Sequence, residues 1–161
     1  MKEPLNKGVT EGRPAEYRTA WQMFFVVGLG LALVGMFDAA MLLIPANPSS
    51  LDWEFGTIGS MVVGLPLITT GLGCMAASST ASGWAWTRGT VILMLSVLAL
   101  IVAASVVLFV LDVPAVLRAA NPQLHPSIKK VALKTAVMGL MHLSMYVILT
   151  VWVWRSKSAT R

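Results

Sequence analysis

Charge is scarce in this chain. Asp, Glu, Lys and Arg make up 12% of its 161 residues, whereas a soluble domain carries about 25%. There is one cysteine, Cys74, so an internal disulfide and any multi-cysteine metal site are excluded. Its place inside an apolar run suits a small core residue. Two histidines, His125 and His142, are too few for a His-Glu-x-x-His zinc motif, and neither lies in that pattern. No glycine-rich phosphate loop with its lysine, no Gly-x-Ser-x-Gly elbow and no pair of carboxylates placed for acid–base work occurs. The net charge of +5 does not form a basic stripe interleaved with aromatics, so nucleic acid is not an expected partner. These absences leave no enzymatic constellation in view, and no catalytic residue is assigned.

What is abundant is apolar. Hydrophobic residues make up 57% of the chain, and the mean hydropathy is +0.76. A domain this small cannot hide that much apolar area from water internally. Lipid is therefore expected to cover part of it. Residues 1–19 form a polar tail with Lys2, Lys7, Arg13 and Arg18. The apolar run that follows is longer than a cleavable signal's core and reads as a retained first span.

A helix needs about 20 mostly apolar residues to cross the hydrocarbon layer. Four segments qualify, at about 20–44, 57–79, 86–111 and 131–154. The second is extended by a turn or two from near Leu51. None alternates as a membrane β-strand does. The expected fold is all-α: an integral membrane four-helix bundle spanning 20–154, with outer loops at 45–56 and 112–130 and a basic tail at 155–161. With the N-terminus inside, eight of the twelve Lys and Arg residues fall on the cytoplasmic side: the four of the tail, Arg88, Arg155, Lys157 and Arg161. Arg118, Lys129, Lys130 and Lys134 fall outside. That bias places both termini in the cytoplasm. Trp21, Trp53, Trp84, Trp86, Trp152 and Trp154 all stand at span boundaries, where interfacial tryptophan belongs.

Local features refine the spans. Ser49 or Ser50 suits the cap of the second helix, with Asp52 and Glu54 in its first turn. Pro66 near mid-depth removes a backbone donor and is expected to kink that helix, with Thr69 and Thr70 a turn later to satisfy freed carbonyls. Gly28, Ala32, Gly35 and Ala39 on the first span, and Gly73 and Ala77 on the second, have the spacing of close helix packing, within the bundle or against a partner.

Asp38 precedes Asn47-Pro48 by nine residues, and Asp112 precedes Asn121-Pro122 by the same interval. Leu43 and Ala46 match Leu117 and Ala120 at the common offset of 74. Two tandem helical hairpins from a duplication would give this, and so would a shared helix-stop signal. The pattern Ile44-Pro45, Asn47-Pro48, Trp53, Gly64-Leu65-Pro66, Gly71-Leu72 resembles uncharacterised four-helix membrane proteins of bacteria over about residues 44–75. The resemblance implies a four-helix architecture and multi-pass residence in the bacterial inner membrane, and it implies no catalytic residue.

Polar groups inside a membrane are costly, so each is a functional candidate. Asp38 and Lys134 lie at similar depth and could form an intramembrane ion pair. His142, near the middle of the fourth span, could ligate haem iron or a chlorophyll or bacteriochlorophyll magnesium, with Gly139 leaving room for the macrocycle. The competing role is a hydrogen bond to Thr69 or Thr70 across the bundle. The loop 112–130 holds Pro114, Pro122 and Pro126. Pro114 is expected to start a short helix through Ala120, ended by Asn121-Pro122. Arg118, Lys129 and Lys130 in this loop suit contact with an acidic partner or anionic headgroups.

Three functions are open on these residues. The first is a non-catalytic accessory or structural subunit of a larger membrane complex, photosynthetic or respiratory, that holds no cofactor and contacts the lipid bilayer and other membrane subunits. The second is a haem- or pigment-binding protein using His142. The third is a small transporter working as a homo-oligomer through Asp38, Lys134 and the Pro66 kink.

Overall fold

A computed structural model describes residues 15–44, 50–82 and 85–158; side chains are described within these except at 15–18, 51–54, 85 and 157–158. Four α-helices account for nearly all of the described residues: α1 (Ala15–Met41), α2 (Leu51–Ser82), α3 (Ala85–Ala119) and α4 (His125–Ser158). A single 3₁₀ turn, Pro122–Leu124, precedes α4, and no strand occurs among the described residues. All four helices are long and apolar enough to cross a membrane. Their outward faces are apolar along most of their length, with Val26, Phe37, Val63, Leu100, Leu133 and Ile148 among the exposed residues. Water would leave these faces unsolvated at large cost, and lipid would not.

α2 is the hub. It packs on all three other helices, and the most extensive contacts are α1 with α2 and α3 with α4. α1 makes little contact with α3 or α4, so it is held on the edge of a three-helix unit by α2 alone. The core follows α2 through Val62, Leu65, Ile68, Leu72, Met75 and Ala76, which meet Val91, Leu95, Val102 and Val106 of α3 and Tyr146 and Val153 of α4.

The α1–α2 contact is a backbone approach. A Cβ added at Gly28 would stand 2.7 Å from the Gly71 carbonyl oxygen, and one at Gly71 would stand 2.5 Å from the Ala32 nitrogen. One at Gly35 would meet Ile68 Cγ1 at 2.7 Å. Only glycine permits this spacing, and the gain is dispersion contact along the seam. At the N-terminal end of α1 the Ser78 hydroxyl donates to the Trp21 carbonyl and extends the register. Gly73 and Ala77 take no part in this seam. A Cβ at Gly73 meets nothing within 4 Å, and Ala77 is half-exposed; the seam runs through Gly71 and Cys74 instead.

Two boundary expectations also change. Pro114 does not start a separate helix; α3 runs through it to Ala119. The carbonyl that proline deprives of a donor belongs to half-exposed Val110 near the far end of the helix, where water can take it. On the other side of the turn, α4 already begins at His125. The expected 112–130 loop therefore shrinks to the few residues around Asn121, whose side chain accepts a hydrogen bond from the Gln123 amide at 3.0 Å. Asp38 lies one turn from the end of α1 and Asp112 two turns from the end of α3, so the matched stretches occupy different places in their helices. The Asn47-Pro48 half of that match lies outside the described residues, as does Ser49; the side chains of Asp52 and Glu54 are likewise outside them.

Candidate functional site

The polar groups of the interior form a chain of local bonds. α2 continues as helix through Pro66. Thr69 and Thr70 donate to the carbonyls of Leu65 and Pro66, each at 2.8 Å. The carbonyl that Pro66 leaves without a donor is that of Val62, three residues before the one Thr69 takes, so the threonines serve the neighbouring turn. The Thr69 hydroxyl also meets the Tyr146 hydroxyl of α4 at 2.9 Å, in a fully buried position. This hydroxyl pair ties α2 to α4. Bonds of this kind inside membranes contribute about 0.6 kcal/mol on average.

His142 lies on the buried face of α4 with Thr135, Gly139, Tyr146 and Val153, and it is 9% exposed. Its Nδ1 is 2.7 Å from the Met138 carbonyl oxygen one turn back. A carbonyl only accepts, so Nδ1 carries a proton, and the tautomer with the lone pair on Nε2 is the neutral form this bond selects. The expected partners Thr69 and Thr70 are engaged elsewhere, and Tyr146, one turn further along α4, takes the contact to Thr69. The space at Gly139 is filled: a Cβ there would collide with Val106 Cγ2 of α3. That glycine serves close α3–α4 packing. Among the described residues no group of three or more His, Cys, Asp or Glu could hold a metal ion.

Asp38 and Lys134 are both exposed, and no ion pair joins them. Asp38 borders a shallow cleft between α1 and α2 with Leu31, Gly64, Pro66 and Thr70; its Oδ2 would lie 3.9 Å from a Cβ at Gly64. Lys134 borders a different cleft between α2 and α4, with Phe55, Gly59, Ser60 and Thr135. Val63 lines both, so a ridge of α2 separates the two charges. A third, almost wholly apolar cleft of about 200 Å³ opens between α1, α2 and α3, bounded by Ala39, Leu43, Leu65, Leu98 and Ser105. Arg118, Lys129 and Lys130 are exposed around the α3–α4 turn.

Arg88 is the residue whose role counting charges missed. It is 7% exposed and donates from Nε to the Ser79 carbonyl at 3.1 Å and from Nη2 to the Thr80 carbonyl at 3.0 Å. The guanidinium thus caps the last turn of α2 from the first turn of α3, where the helix dipole favours a cation. Its place six residues beyond a Ser/Thr-rich helix end was the available signal.

Comparison with protein-family models, curated proteins and solved structures finds no match to the chain.

Proposed function

We propose that this chain is a non-catalytic accessory subunit of a larger membrane assembly, in the inner membrane of a bacterium with both termini cytoplasmic. One observation carries the reading. Most interior polar groups that would ordinarily mark a membrane active site are spent on the fold itself: Thr69 on Tyr146, Ser78 on Trp21, Arg88 on the end of α2, and His142 on the Met138 carbonyl of its own helix. Such use gives a rigid scaffold rather than a reacting centre. The attachment of α1 through α2 alone adds support, because it leaves a long apolar face for another chain's helix. Respiratory and photosynthetic complexes are settings of this kind, a choice that rests on analogy. Solubilising the native membrane in a mild detergent and identifying copurifying chains by mass spectrometry tests the proposal. Stoichiometric membrane subunits of a known complex are expected. Migration alone, or only as a homo-oligomer, in every mild detergent would refute it.

A second reading has its own observation. The Nδ1 bond to Met138 leaves the Nε2 lone pair of His142 available, which is the tautomer an axial ligand to haem or chlorophyll needs. A ligating His142 would need its second axial group from another chain.

A further inference from the structure

We propose that the cleft between α2 and α4 at the end of the molecule remote from the N-terminus is a binding site for an anionic phospholipid, with its phosphate on Lys134. Four observations meet there. The cleft has a volume of about 370 Å³, and its wall on α2 is built from Gly56, Gly59 and Ser60, whose small side chains leave width for a headgroup. Its deeper part is apolar, lined by Val62, Val63 and Met138, and suits the first segment of an acyl chain. Lys134 is exposed on its rim with no ion pair recorded to any described residue, and Lys130 stands one helical turn further out on the same face.

The fourth observation is Thr135. It is 7% exposed, it lines the cleft, and its hydroxyl faces Gly59 across it, with Oγ1 3.9 Å from where a Cβ would stand. Other span hydroxyls bond back to a carbonyl of their own helix, as Thr69, Thr70, Ser144 and Thr150 do. Thr135 has no hydrogen bond to any described residue. The hydroxyl opens onto the cleft, where an acceptor from outside the chain can reach it.

Depth selects the occupant. Lys134 lies about 27 Å along α4 from Trp152 at 1.5 Å per residue, close to the roughly 30 Å hydrocarbon thickness. With Trp152 at one interface, the Lys134 ammonium is at the level of the phosphates of the opposite leaflet. A lipid phosphate is the acceptor always present there, and an anionic lipid matches the local Lys130–Lys134 charge.

Native mass spectrometry of the full-length protein, exchanged into equal phosphatidylglycerol and phosphatidylcholine with identical chains, tests this. The wild type is expected to retain phosphatidylglycerol about fivefold over phosphatidylcholine, the effect of one cation near an anionic headgroup. Lys134→Gln should bring the ratio close to one, Thr135→Val should lower it with the helical content intact, and Lys129→Gln, outside the cleft, should leave it unchanged. Equal retention by the wild type overturns the proposal. So does a ratio that survives Lys134→Gln; if that variant does not fold, a ratio that survives Thr135→Val decides against it. A polypeptide cross-linked through position 134 in place of lipid would also overturn it. Copurifying subunits that leave lipid retention unchanged would not, so this test is separate from that of the subunit reading.

Discussion

His142 and Tyr146 stand one turn apart on the buried face of α4, and they dispose of their polar groups differently. Tyr146 reaches across to Thr69 and ties α4 to α2. His142 turns back to its own helix, so that its Nδ1 proton is satisfied without a partner helix. A histidine used this way is a packing residue unless a metal finds Nε2. The subunit reading therefore expects purified protein with no haem or chlorophyll absorption band, and His142→Ala with a loss of about 1 kcal/mol in stability and an unchanged spectrum. Visible absorption spectroscopy beside thermal unfolding checks both. A band that vanishes in His142→Ala would decide for ligation.

At the scale of elements the decisive contact is the α1–α2 seam. Gly71 faces the Ala32 backbone at a distance that no Cβ can occupy, whereas Gly73, two residues on, faces open space. Gly71→Ala is expected to force α1 away and cost about 1–3 kcal/mol, the range for overpacking. Gly73→Ala should stay within about 0.5 kcal/mol of wild type. Reversible unfolding in mixed micelles measures the difference, and equal effects would contradict the seam. The same pair shows what the sequence made legible. Long apolar runs without alternation mark helices, because in lipid a single segment satisfies its own backbone only as a helix, so four helices could be read from hydropathy alone. Small-residue spacing on the first span was visible in Gly28, Ala32 and Gly35. Which face of α2 receives them was not, because Gly64, Gly71 and Gly73 offer competing spacings and only the rotation of the helix chooses. The α3–α4 turn was hidden for another reason. Pro114 reads as a helix start, yet a proline near a solvated helix end leaves only one carbonyl for water to satisfy. The bonds of Arg88 to the end of α2 depend on how two helix ends meet, which no local pattern encodes.

For the whole molecule, the arrangement is a three-helix unit with a fourth helix seated on its edge, and its outer faces are apolar over most of their length. The helices α2, α3 and α4 contain 32, 35 and 34 residues. At 1.5 Å per residue these run about 48–52 Å, longer than the roughly 30 Å hydrocarbon layer. In the proposed topology they carry the α3–α4 turn, with Arg118, Lys129 and Lys130, into water. The central claim is that lipid surrounds this unit with both chain ends on one side and that turn on the other. Labelling single cysteines with a membrane-impermeant maleimide tests it most directly, using Gln123→Cys and Ser158→Cys separately in a Cys74→Ala background in intact cells stripped of their outer barrier. The account expects position 123 to react from outside and position 158 to react only after the membrane is permeabilised. Reaction of both positions from outside, or recovery of the protein in the soluble fraction without detergent, would contradict it.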